Sequence, residues 1–466
     1  MAKQNKQNEK TLLTDLYQLT MNAAYFDNNK DETATFELFI RKLPKDWGYF
    51  IANGIEDAVD YATNIKFQDE DIDYLKNQGL FKQDFLESLK NFKFEGDIYA
   101  VKEGTPITEN TPILRVTAKR SQAQFLETTL LNIINYQTMI ATKANRIVNA
   151  AQGAKVVDFG LRRAHGEDAS MKGARASYIA GAAATSNIKA GKEYGIPISG
   201  TQAHSFVMSF PNELDAFRAY VKTFSNNPIL LIDTYDTLQG ARNAAVVAKE
   251  IEREGKKLGG VRLDSEPLLN LSKNVRKILD ERNLDYVKIV ASNDLNEYTI
   301  DDLIRRGANI DAYGVGTEMI TAKPVAAIPG VYKLVEDKDG AKIKLAYGKK
   351  TYPGKKQVYR VLDENGKYSY DILALENEKV DGQPLLELIV KDGERVYERK
   401  SLEETRKYCL DSITKLPDKY KQVKVNSPYT FKVSKKLEEL VDNLTRRYIS
   451  GGNQNENNIL ECGYSK

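Results

Sequence analysis

The chain has 466 residues, and its 68 Lys and Arg against 65 Asp and Glu give a formal net charge of only +3. This near-balance argues against a protein that coats nucleic acid. With 41% hydrophobic and 29% charged residues, the composition is that of a globular chain, which excludes extensive disorder. The length favours two or three domains over a single one.

Cysteine and histidine are scarce, with two residues of each type. Cys409 and Cys462 exclude a disulfide framework and a Cys-rich metal site, and they fit a reducing, cytoplasmic location. His165 and His204 are too few for a multi-histidine metal centre. Residues 1–10 have no apolar core and predict a solvated tail, not a signal peptide. No stretch approaches the ~18 apolar residues of a membrane span.

The N-terminal third mixes helical and strand patterns. Thr14 or Asp15 is a candidate cap for a first helix, and residues 33–40 alternate as a β-strand does. Turn residues between 98 and 116 indicate short strands. Residues 121–152 contain neither Gly nor Pro and repeat apolar side chains at helical spacing, which predicts a long helix or a helix pair.

Short apolar runs recur through the middle of the chain, with helical stretches between most of them. This rhythm is typical of buried parallel strands that alternate with helices, in a closed β/α barrel or a doubly wound sheet. A polar cluster follows each run, which favours the barrel, whose sites lie at the carboxyl ends of its strands. The runs are Val156-Val157, Ile196–Ile198, Ile229–Ile232, Val261–Leu263, Val287–Val290 and Ile310–Tyr313.

Beyond about residue 335, Lys and Glu become frequent and the pattern changes again. Short strand signals alternate with turns at Gly340, Gly354 and Gly366. Residues 434–448 read as a charged amphipathic helix that completes a small domain or forms an oligomer surface. The segment Gly451–Asn455 predicts a flexible tail.

Several of the polar clusters combine anion-binding residue types. Arg262 and Asp264 face the same side of one strand, either as a structural ion pair or as a phosphate-binding Arg beside a carboxylate for Mg²⁺ or a hydroxyl group. The Gly-rich segment 314–317 offers backbone N–H groups to an anion, or is an ordinary turn. Arg162 follows an Asp-Phe-Gly sequence, which suggests a planar acidic ligand, or an Arg beside a core Phe.

The two histidines differ in their surroundings. His204 lies in a polar turn, where its role could be nucleophile, proton carrier or anion ligand. His165 lies in an Arg-rich loop, and we expect it to be exposed to solvent.

Taken together, these motifs resemble those of the nicotinate phosphoribosyltransferase family, a type II phosphoribosyltransferase family. The resemblance runs from Thr14 to Thr317 and continues more loosely to the end of the chain. Each motif is weak by itself, but their joint order and spacing are specific. The motifs are Thr14–Gln18, Asp158–Ala164, Thr185–Asn187, Gly200–Ser205, Val261–Ser265, Ser292–Leu295 and Tyr313–Thr317.

The resemblance implies an irregular β/α barrel with a second α/β domain formed by both chain ends. We therefore expect a barrel at residues 138–334 and a second domain made of residues 1–137 and 335–466. It also implies a cytoplasmic homodimer with a shared active site, acting in NAD salvage without nucleic acid or membrane. The reaction would join nicotinate to phosphoribosyl pyrophosphate, with Mg²⁺ present. ATP hydrolysis would be coupled to it in a ligase-type transfer.

The roles implied for individual residues follow the same motifs. His204 would be the phosphorylated residue, and Arg262 and Asp264 would bind the phosphoribosyl group as catalytic residues. Nicotinate would stack between Phe159 and Tyr17, with Tyr17 contributed by the neighbouring subunit. The remaining substrate contacts would be Arg162, Thr185 and Ser186 for the carboxylate, and Asn293, Gly314, Gly316 and Thr317 for the 5′-phosphate. No metal ligands are assigned.

Three alternatives remain. A nicotinamide-using enzyme shares several motifs but tends to place an Asp where this chain has neutral Thr185 and Ser186. Quinolinate-using relatives are much shorter chains. A non-catalytic homologue would not be expected to keep His204 and Asp264.

The chain departs from the family at Glu266-Pro267, where Gly-Asp is common, and Glu266 could replace that Asp.

Overall fold

The computed structural model describes residues 10–346, 349 and 351–450. The tails predicted for residues 1–10 and 451–455 therefore lie outside the described residues, except for Lys10, and so does Cys462. Among the described residues, no helix combines the length and apolar character needed to cross a membrane.

Helices and short strands alternate through most of the described part of the chain. The helices are α1 Leu16–Asp27, α2 Ile55–Asn64, α3 Asp69–Asn77, α4 Gln83–Leu89, α5 Arg120–Phe125, α6 Glu127–Ala150, α7 Glu167–Ile179, α8 Ile188–Tyr194, α9 His204–Met208, α10 Glu213–Thr223, α11 Thr237–Glu252, α12 Leu268–Asp280, α13 Glu297–Arg305, α14 Thr317–Ile320, α15 Leu402–Lys415 and α16 Lys435–Ser450. The strands are β1 Thr33–Ile40, β2 Phe50–Ile51, β3 Asp97–Ala100, β4 Pro106–Ile107, β5 Leu114–Lys119, β6 Lys155–Asp158, β7 Ala184–Thr185, β8 Ile229–Leu231, β9 Gly260–Leu263, β10 Lys288–Ser292, β11 Ala312–Val315, β12 Gly330–Asp337, β13 Gly340–Ala341, β14 Lys356–Leu362, β15 Tyr368–Leu375, β16 Gln383–Pro384, β17 Glu387–Lys391, β18 Glu394–Arg395 and β19 Phe431–Val433.

The middle of the chain forms a curled, six-stranded parallel sheet in the order β7-β6-β11-β10-β9-β8, which is an open, irregular β/α barrel. The predicted apolar runs coincide with its strands, with one exception. Residues 196–198 make only an isolated bridge from Ile198 to Thr185. Pro197 has no N–H to donate to a ladder, which explains why no regular strand forms there. The edge strand of the sheet, next to β6, is formed by Ala184–Thr185 (β7), a strand that the sequence pattern did not reveal.

Both chain ends contribute to a second α/β unit. Its seven-stranded sheet has the order β13-β12-β1-β5-β3-β17-β18 and so combines N-terminal strands with strands that follow the barrel. Strand β1 pairs antiparallel with β5 on one side and with β12 on the other. A further four-stranded sheet, β16-β14-β15-β19, belongs entirely to the C-terminal part. This architecture confirms the fold class expected from the resemblance.

The predicted boundary between residues 137 and 138 falls within a continuous helix, α6, which runs from Glu127 to Ala150. The domain boundaries therefore stay a prediction. Helices α5 and α6, separated only at Leu126, form the helix pair expected for the segment without Gly and Pro. Helix α1 begins at Leu16 after the N-cap residue Asp15, as expected, although the Asp15 carboxylate accepts a hydrogen bond from Thr128 at 3.0 Å and not from the helix.

A buried ion pair joins β14 to β15. The Arg360 guanidinium donates to both carboxylate oxygens of Asp371, from Nε at 2.9 Å and from Nη2 at 2.8 Å, and the Tyr429 hydroxyl donates to the same carboxylate at 2.8 Å. Both charged side chains are almost completely inaccessible to solvent. Removing one partner of such a pair leaves the other charge buried without compensation.

Asp371→Ala is therefore expected to lower the free energy of unfolding by about 3–5 kcal/mol. Urea-induced unfolding of the purified protein measures this loss. Glu250→Ala is the matched control, because it breaks a similar two-bond pair with Arg218 that lies in solvent, and we expect little change. Equal stability losses in both variants would contradict the stabilising role of the buried pair Arg360–Asp371.

Candidate active site

The carboxyl ends of the parallel strands meet at one edge of the open barrel, and two adjoining cavities lie there. The larger has a volume of about 410 Å³ and the smaller about 180 Å³. Phe159, Arg162, Arg262 and Asp264 line both of them. The larger cavity is also lined by Leu161, Ser186, Gly200, Thr201, Gln202, Ala203 and His204. The smaller is also lined by Arg163, Ser292, Asn293, Asp294, Leu295, Gly314, Gly316, Thr317 and Glu318.

Of the residues to which the resemblance gives a catalytic or substrate-binding role, all but two line these cavities. The first exception is Tyr17, which lies on α1 with 44% of its surface exposed and lines neither cavity. The second is Thr185, which is 1% exposed and directs its hydroxyl to the Asp158 carboxylate at 2.8 Å. His165 is exposed, as expected, and lines neither cavity.

Arg262 projects from β9 and is held by the loop that precedes His204. Its guanidinium donates to the Thr201 hydroxyl and, from Nη2 at 3.1 Å, to the Gln202 carbonyl. Burial lowers the pKa of Arg262 from its usual high value, although Asp264 and Asp233 oppose this. Its Nε is buried without a partner. The side chain is therefore fixed in place where it lines both cavities, and a guanidinium in that position suits an anion.

Asp264 lies two residues beyond Arg262, where β9 ends. The Ser292 hydroxyl donates to Asp264 Oδ1 at 2.6 Å, and the Asp264 backbone N–H donates to Asp233 Oδ2 at 2.6 Å. The other carboxylate oxygen, Oδ2, lies 3.8 Å from His204 Nε2. Asp264 thus lies beside the histidine and lines both cavities.

His204 begins helix α9, and about two fifths of its side chain is exposed. Its Nδ1 lies 3.2 Å from the Thr234 hydroxyl, a hydrogen bond that orients the ring and turns Nε2 towards Asp264. A histidine held at one nitrogen, with the other accessible beside a carboxylate, has the arrangement of a nucleophile or proton carrier.

Phe159 is positioned by close contact with a glycine on the adjacent strand. Its backbone N–H donates to the Val315 carbonyl at 2.9 Å, which extends the pairing of β6 with β11. Its ring lies over Gly314 so closely that a Cβ added there would fall 2.3 Å from the ring atom Cε2. Only glycine at position 314 leaves room for the ring in this orientation.

The smaller cavity is rich in charge. Three arginines line it, together with the carboxylates of Asp264, Asp294 and Glu318. Glu318 is paired with Lys323 at 3.0 Å. Asn293 and Asp294 both have positive φ values, 99° and 41°, at the tight turn that follows β10. Such a set of guanidinium groups and small turn residues suits a phosphate group.

Several residues that shape the site received no role from the sequence. Asp233 and Thr234 follow β8 and contact Asp264 and His204, while Ser292 and Thr201 support Asp264 and Arg262. Asp233 is buried, and its Oδ1 has no hydrogen-bond partner. For Asp233 and Thr234 the position just after the buried strand β8 was the available signal, since Asp264 has the same position after β9.

The unusual Glu266 is exposed and accepts a hydrogen bond from the Leu268 backbone N–H at 2.9 Å, at the start of α12. It lines neither cavity. In this structure Glu266 therefore supports a helix, and its replacement of the family's missing Asp stays a prediction.

The comparisons with known proteins agree with this geometry. Models of the nicotinate phosphoribosyltransferase N-terminal domain, family and C-terminal domain match residues 12–135, 154–325 and 380–441. A nicotinate phosphoribosyltransferase from Mycobacterium tuberculosis is 41% identical, covering 92% of each chain. That of Bacillus subtilis is 40% identical, covering 92% of this chain and 94% of its own.

Solved structures show the same fold. The crystal structure of human nicotinic acid phosphoribosyltransferase superimposes with a TM-score of 0.82 at 27% identity, covering 92% of this chain and 99% of that one. A nicotinate-nucleotide pyrophosphorylase from Pyrococcus furiosus gives a TM-score of 0.71 at 25% identity, covering 88% of this chain and 96% of its own. The chain therefore belongs to the nicotinate phosphoribosyltransferase family.

Proposed function

We propose that the protein transfers the phosphoribosyl group of phosphoribosyl pyrophosphate to nicotinate, giving nicotinate mononucleotide and pyrophosphate for NAD biosynthesis. The observation that carries this proposal is the shared wall of the two cavities. Phe159 and Arg162 offer an aromatic face and a guanidinium, and Arg262 and Asp264 stand beside them. A planar carboxylate and a phosphorylated sugar can therefore bind side by side.

Nicotinate would bind in the larger cavity. Its ring would stack on Phe159, and its carboxylate would accept hydrogen bonds from Arg162 and from the Ser186 hydroxyl. Arg162 has donors only and suits a carboxylate, whereas a carboxamide would find the Ser186 hydroxyl as the one acceptor for its N–H groups among these two side chains. This favours nicotinate over nicotinamide.

The phosphoribosyl group would bind across the smaller cavity. Its 5′-phosphate would lie against Asn293, Gly314, Gly316 and Thr317, with Arg262 and Asp264 at the ribose and pyrophosphate. Mg²⁺ commonly binds through one or two carboxylates together with water and substrate phosphates, and the donors of Asp264 and Asp294 fit it. When bound, Mg²⁺ would neutralise charge on the departing pyrophosphate.

The transfer step requires few titratable groups. The nicotinate ring nitrogen attacks C1 of the ribose with its lone pair, and the C–O bond to pyrophosphate breaks with its electrons leaving on oxygen. Arg262 stabilises the charge that develops on the leaving group, and Asp264 stabilises the positive sugar. Orientation of the two substrates then supplies much of the rate.

ATP coupling and a shared active site extend the proposal. His204 Nε2 would accept a phosphoryl group from ATP, releasing ADP, and the phosphohistidine would be hydrolysed during turnover. A second copy of the chain would bring Tyr17 over the open face of nicotinate, opposite Phe159. Support for this comes from the exposure of Tyr17 beside exposed Leu13 and Leu16. The cytoplasmic location stays a prediction.

Gly314→Ala is expected to lower kcat/KM for nicotinate by about 10- to 100-fold, because the new methyl group displaces the Phe159 ring from its stacking position. Steady-state kinetics with nicotinate as the varied substrate measures the effect. Gly255→Ala is the control, since Gly255 is a positive-φ glycine that follows α11 in open space, and alanine there should cost about 1–2 kcal/mol of stability. Wild-type kinetics in Gly314→Ala would contradict the stacking role.

The substrate is tested by supplying nicotinate, nicotinamide and quinolinate in separate reactions with phosphoribosyl pyrophosphate and analysing the nucleotide products. We expect nicotinate mononucleotide from nicotinate and little product from the other two. Turnover of nicotinamide but not nicotinate would assign the protein to the nicotinamide-using alternative. Absence of product from all three bases would favour the non-catalytic homologue.

A further inference from the structure

Beneath the larger cavity lies a buried carboxylate that does not itself line either cavity. Asp158, at the end of β6, is 1% exposed. Its Oδ1 accepts a hydrogen bond from the Gly160 backbone N–H at 2.8 Å, and its Oδ2 accepts one from the Thr185 hydroxyl at 2.8 Å. Burial raises the pKa of the Asp158 carboxyl, and only these two hydrogen bonds oppose that rise.

Each of these hydrogen bonds leads to one wall of the larger cavity. Gly160 lies between Phe159 and the short 3₁₀ turn Leu161–Arg163, so its N–H fixes the turn that carries Arg162. Thr185 directly precedes Ser186, whose backbone N–H donates to the Asp158 carbonyl at 2.8 Å. The carboxylate thus connects the two segments that would contact nicotinate.

Thr185 also connects to the segment that leads to His204. Its N–H donates to the Pro197 carbonyl at 3.0 Å, and its carbonyl accepts from the Ser199 N–H at 3.0 Å. Its hydroxyl accepts a hydrogen bond from the Asn187 N–H at 3.1 Å and so uses its own hydrogen for Asp158. This hydrogen-bond arrangement orients the hydroxyl in one direction, away from the cavity.

We propose that Asp158 and Thr185 are a pair of positioning residues that set the distance between the Phe159–Arg162 turn and Ser186, and thereby the affinity for nicotinate. This inference rests on the proposed function. It gives Thr185 a role through Asp158, in place of the direct substrate contact that the resemblance implied.

The chemistry of the pair supports positioning over simple packing. The two carboxyl oxygens of Asp158 hold donors from two separate segments at once. Burying a carboxylate without a cation costs stability, so an apolar side chain would serve packing better. A displacement of about 1 Å between substrate contacts can cost roughly 100-fold in rate.

The test compares two substitutions at one position. Thr185→Val keeps the shape of the side chain and removes the hydroxyl, while Thr185→Ser keeps the hydroxyl. We expect Thr185→Val to raise the KM for nicotinate by about 10-fold, the effect of one lost hydrogen bond. The KM for phosphoribosyl pyrophosphate should stay unchanged, and Thr185→Ser should behave as the wild type.

A double-mutant cycle tests the connection to Asp158. If both residues act through one hydrogen bond, Asp158→Asn combined with Thr185→Val should raise the KM for nicotinate by less than the product of the separate effects. Independent, multiplying effects would overturn the pairing. If Asp158→Asn does not fold, the comparison of Thr185→Val with Thr185→Ser decides the inference.

The remaining outcomes separate this inference from the proposed function. An active wild type with an unchanged nicotinate KM in Thr185→Val overturns the positioning role alone. Equal rises in the KM of both substrates, or a defect shared by Thr185→Ser, also overturn it, because they indicate general disturbance of the barrel. A wild type that makes no nicotinate mononucleotide overturns the proposed function and this inference with it.

Discussion

Replacing His204 by alanine is expected to abolish the stimulation of the transfer by ATP while leaving slow, ATP-independent formation of nicotinate mononucleotide. The variant loses the ring nitrogen that would carry the phosphoryl group, but Phe159, Arg162, Arg262 and Asp264 stay in place at the two cavities. Initial rates with and without ATP measure the effect. Incubation with γ-labelled ATP should also label the wild-type protein through an acid-labile bond and leave the variant unlabelled.

The scarcity of histidine provides the control. His165 is the other histidine of the chain, and it is exposed and away from both cavities. His165→Ala should keep both the labelling and the stimulation by ATP. Full stimulation in His204→Ala, or loss of labelling in His165→Ala, would contradict the assignment of His204.

Arg162→Ala is expected to raise the KM for nicotinate by about 100-fold, which corresponds to roughly 2.7 kcal/mol. The guanidinium of Arg162 is the cationic donor proposed for the nicotinate carboxylate, and alanine would leave that carboxylate without a charged partner. Arg162→Lys keeps the charge but loses the planar, two-pronged donor, so we expect an intermediate KM. Steady-state kinetics with each substrate varied in turn measures both effects.

The neighbouring Arg163 gives a matched control. Arg163→Ala removes the same charge one residue along the chain, but Arg163 lines only the smaller cavity. Arg163→Ala should therefore affect the KM for phosphoribosyl pyrophosphate more than that for nicotinate. An unchanged nicotinate KM in Arg162→Ala would remove its role as carboxylate anchor.

Much of the barrel was predictable because buried parallel strands leave a strong signal in the sequence. The runs that became β6 and β8–β11 are apolar, and polar residues follow each of them at the carboxyl end. Parallel pairing then brings the carboxyl ends of these strands to one edge, which explains why Arg262, Asp264 and Gly314 line one cavity. The contribution of both chain ends to one sheet came from the resemblance and not from periodicity.

The remaining features depend on contacts that sequence spacing does not encode. Residues 196–198 have the composition of a strand, but Pro197 cannot donate to a ladder, and two-residue β7 pairs with β6 instead. The motif Thr185–Asn187 implies that the Thr185 hydroxyl donates to the substrate, whereas in the structure this hydroxyl donates to Asp158. Asp233 belongs to the polar residues that follow β8, but its contact with the Asp264 N–H, 31 positions further along the chain, is seen only in the structure.

The proposed reaction transfers the phosphoribosyl group of phosphoribosyl pyrophosphate to nicotinate at the shared wall of the two cavities. Its most direct test follows nicotinate mononucleotide and pyrophosphate together in reactions of the purified protein, with and without ATP. The transfer should yield the two products in equal amounts, and ATP should raise their rate of formation. Consumption of ATP with no nucleotide formed from nicotinate would contradict it.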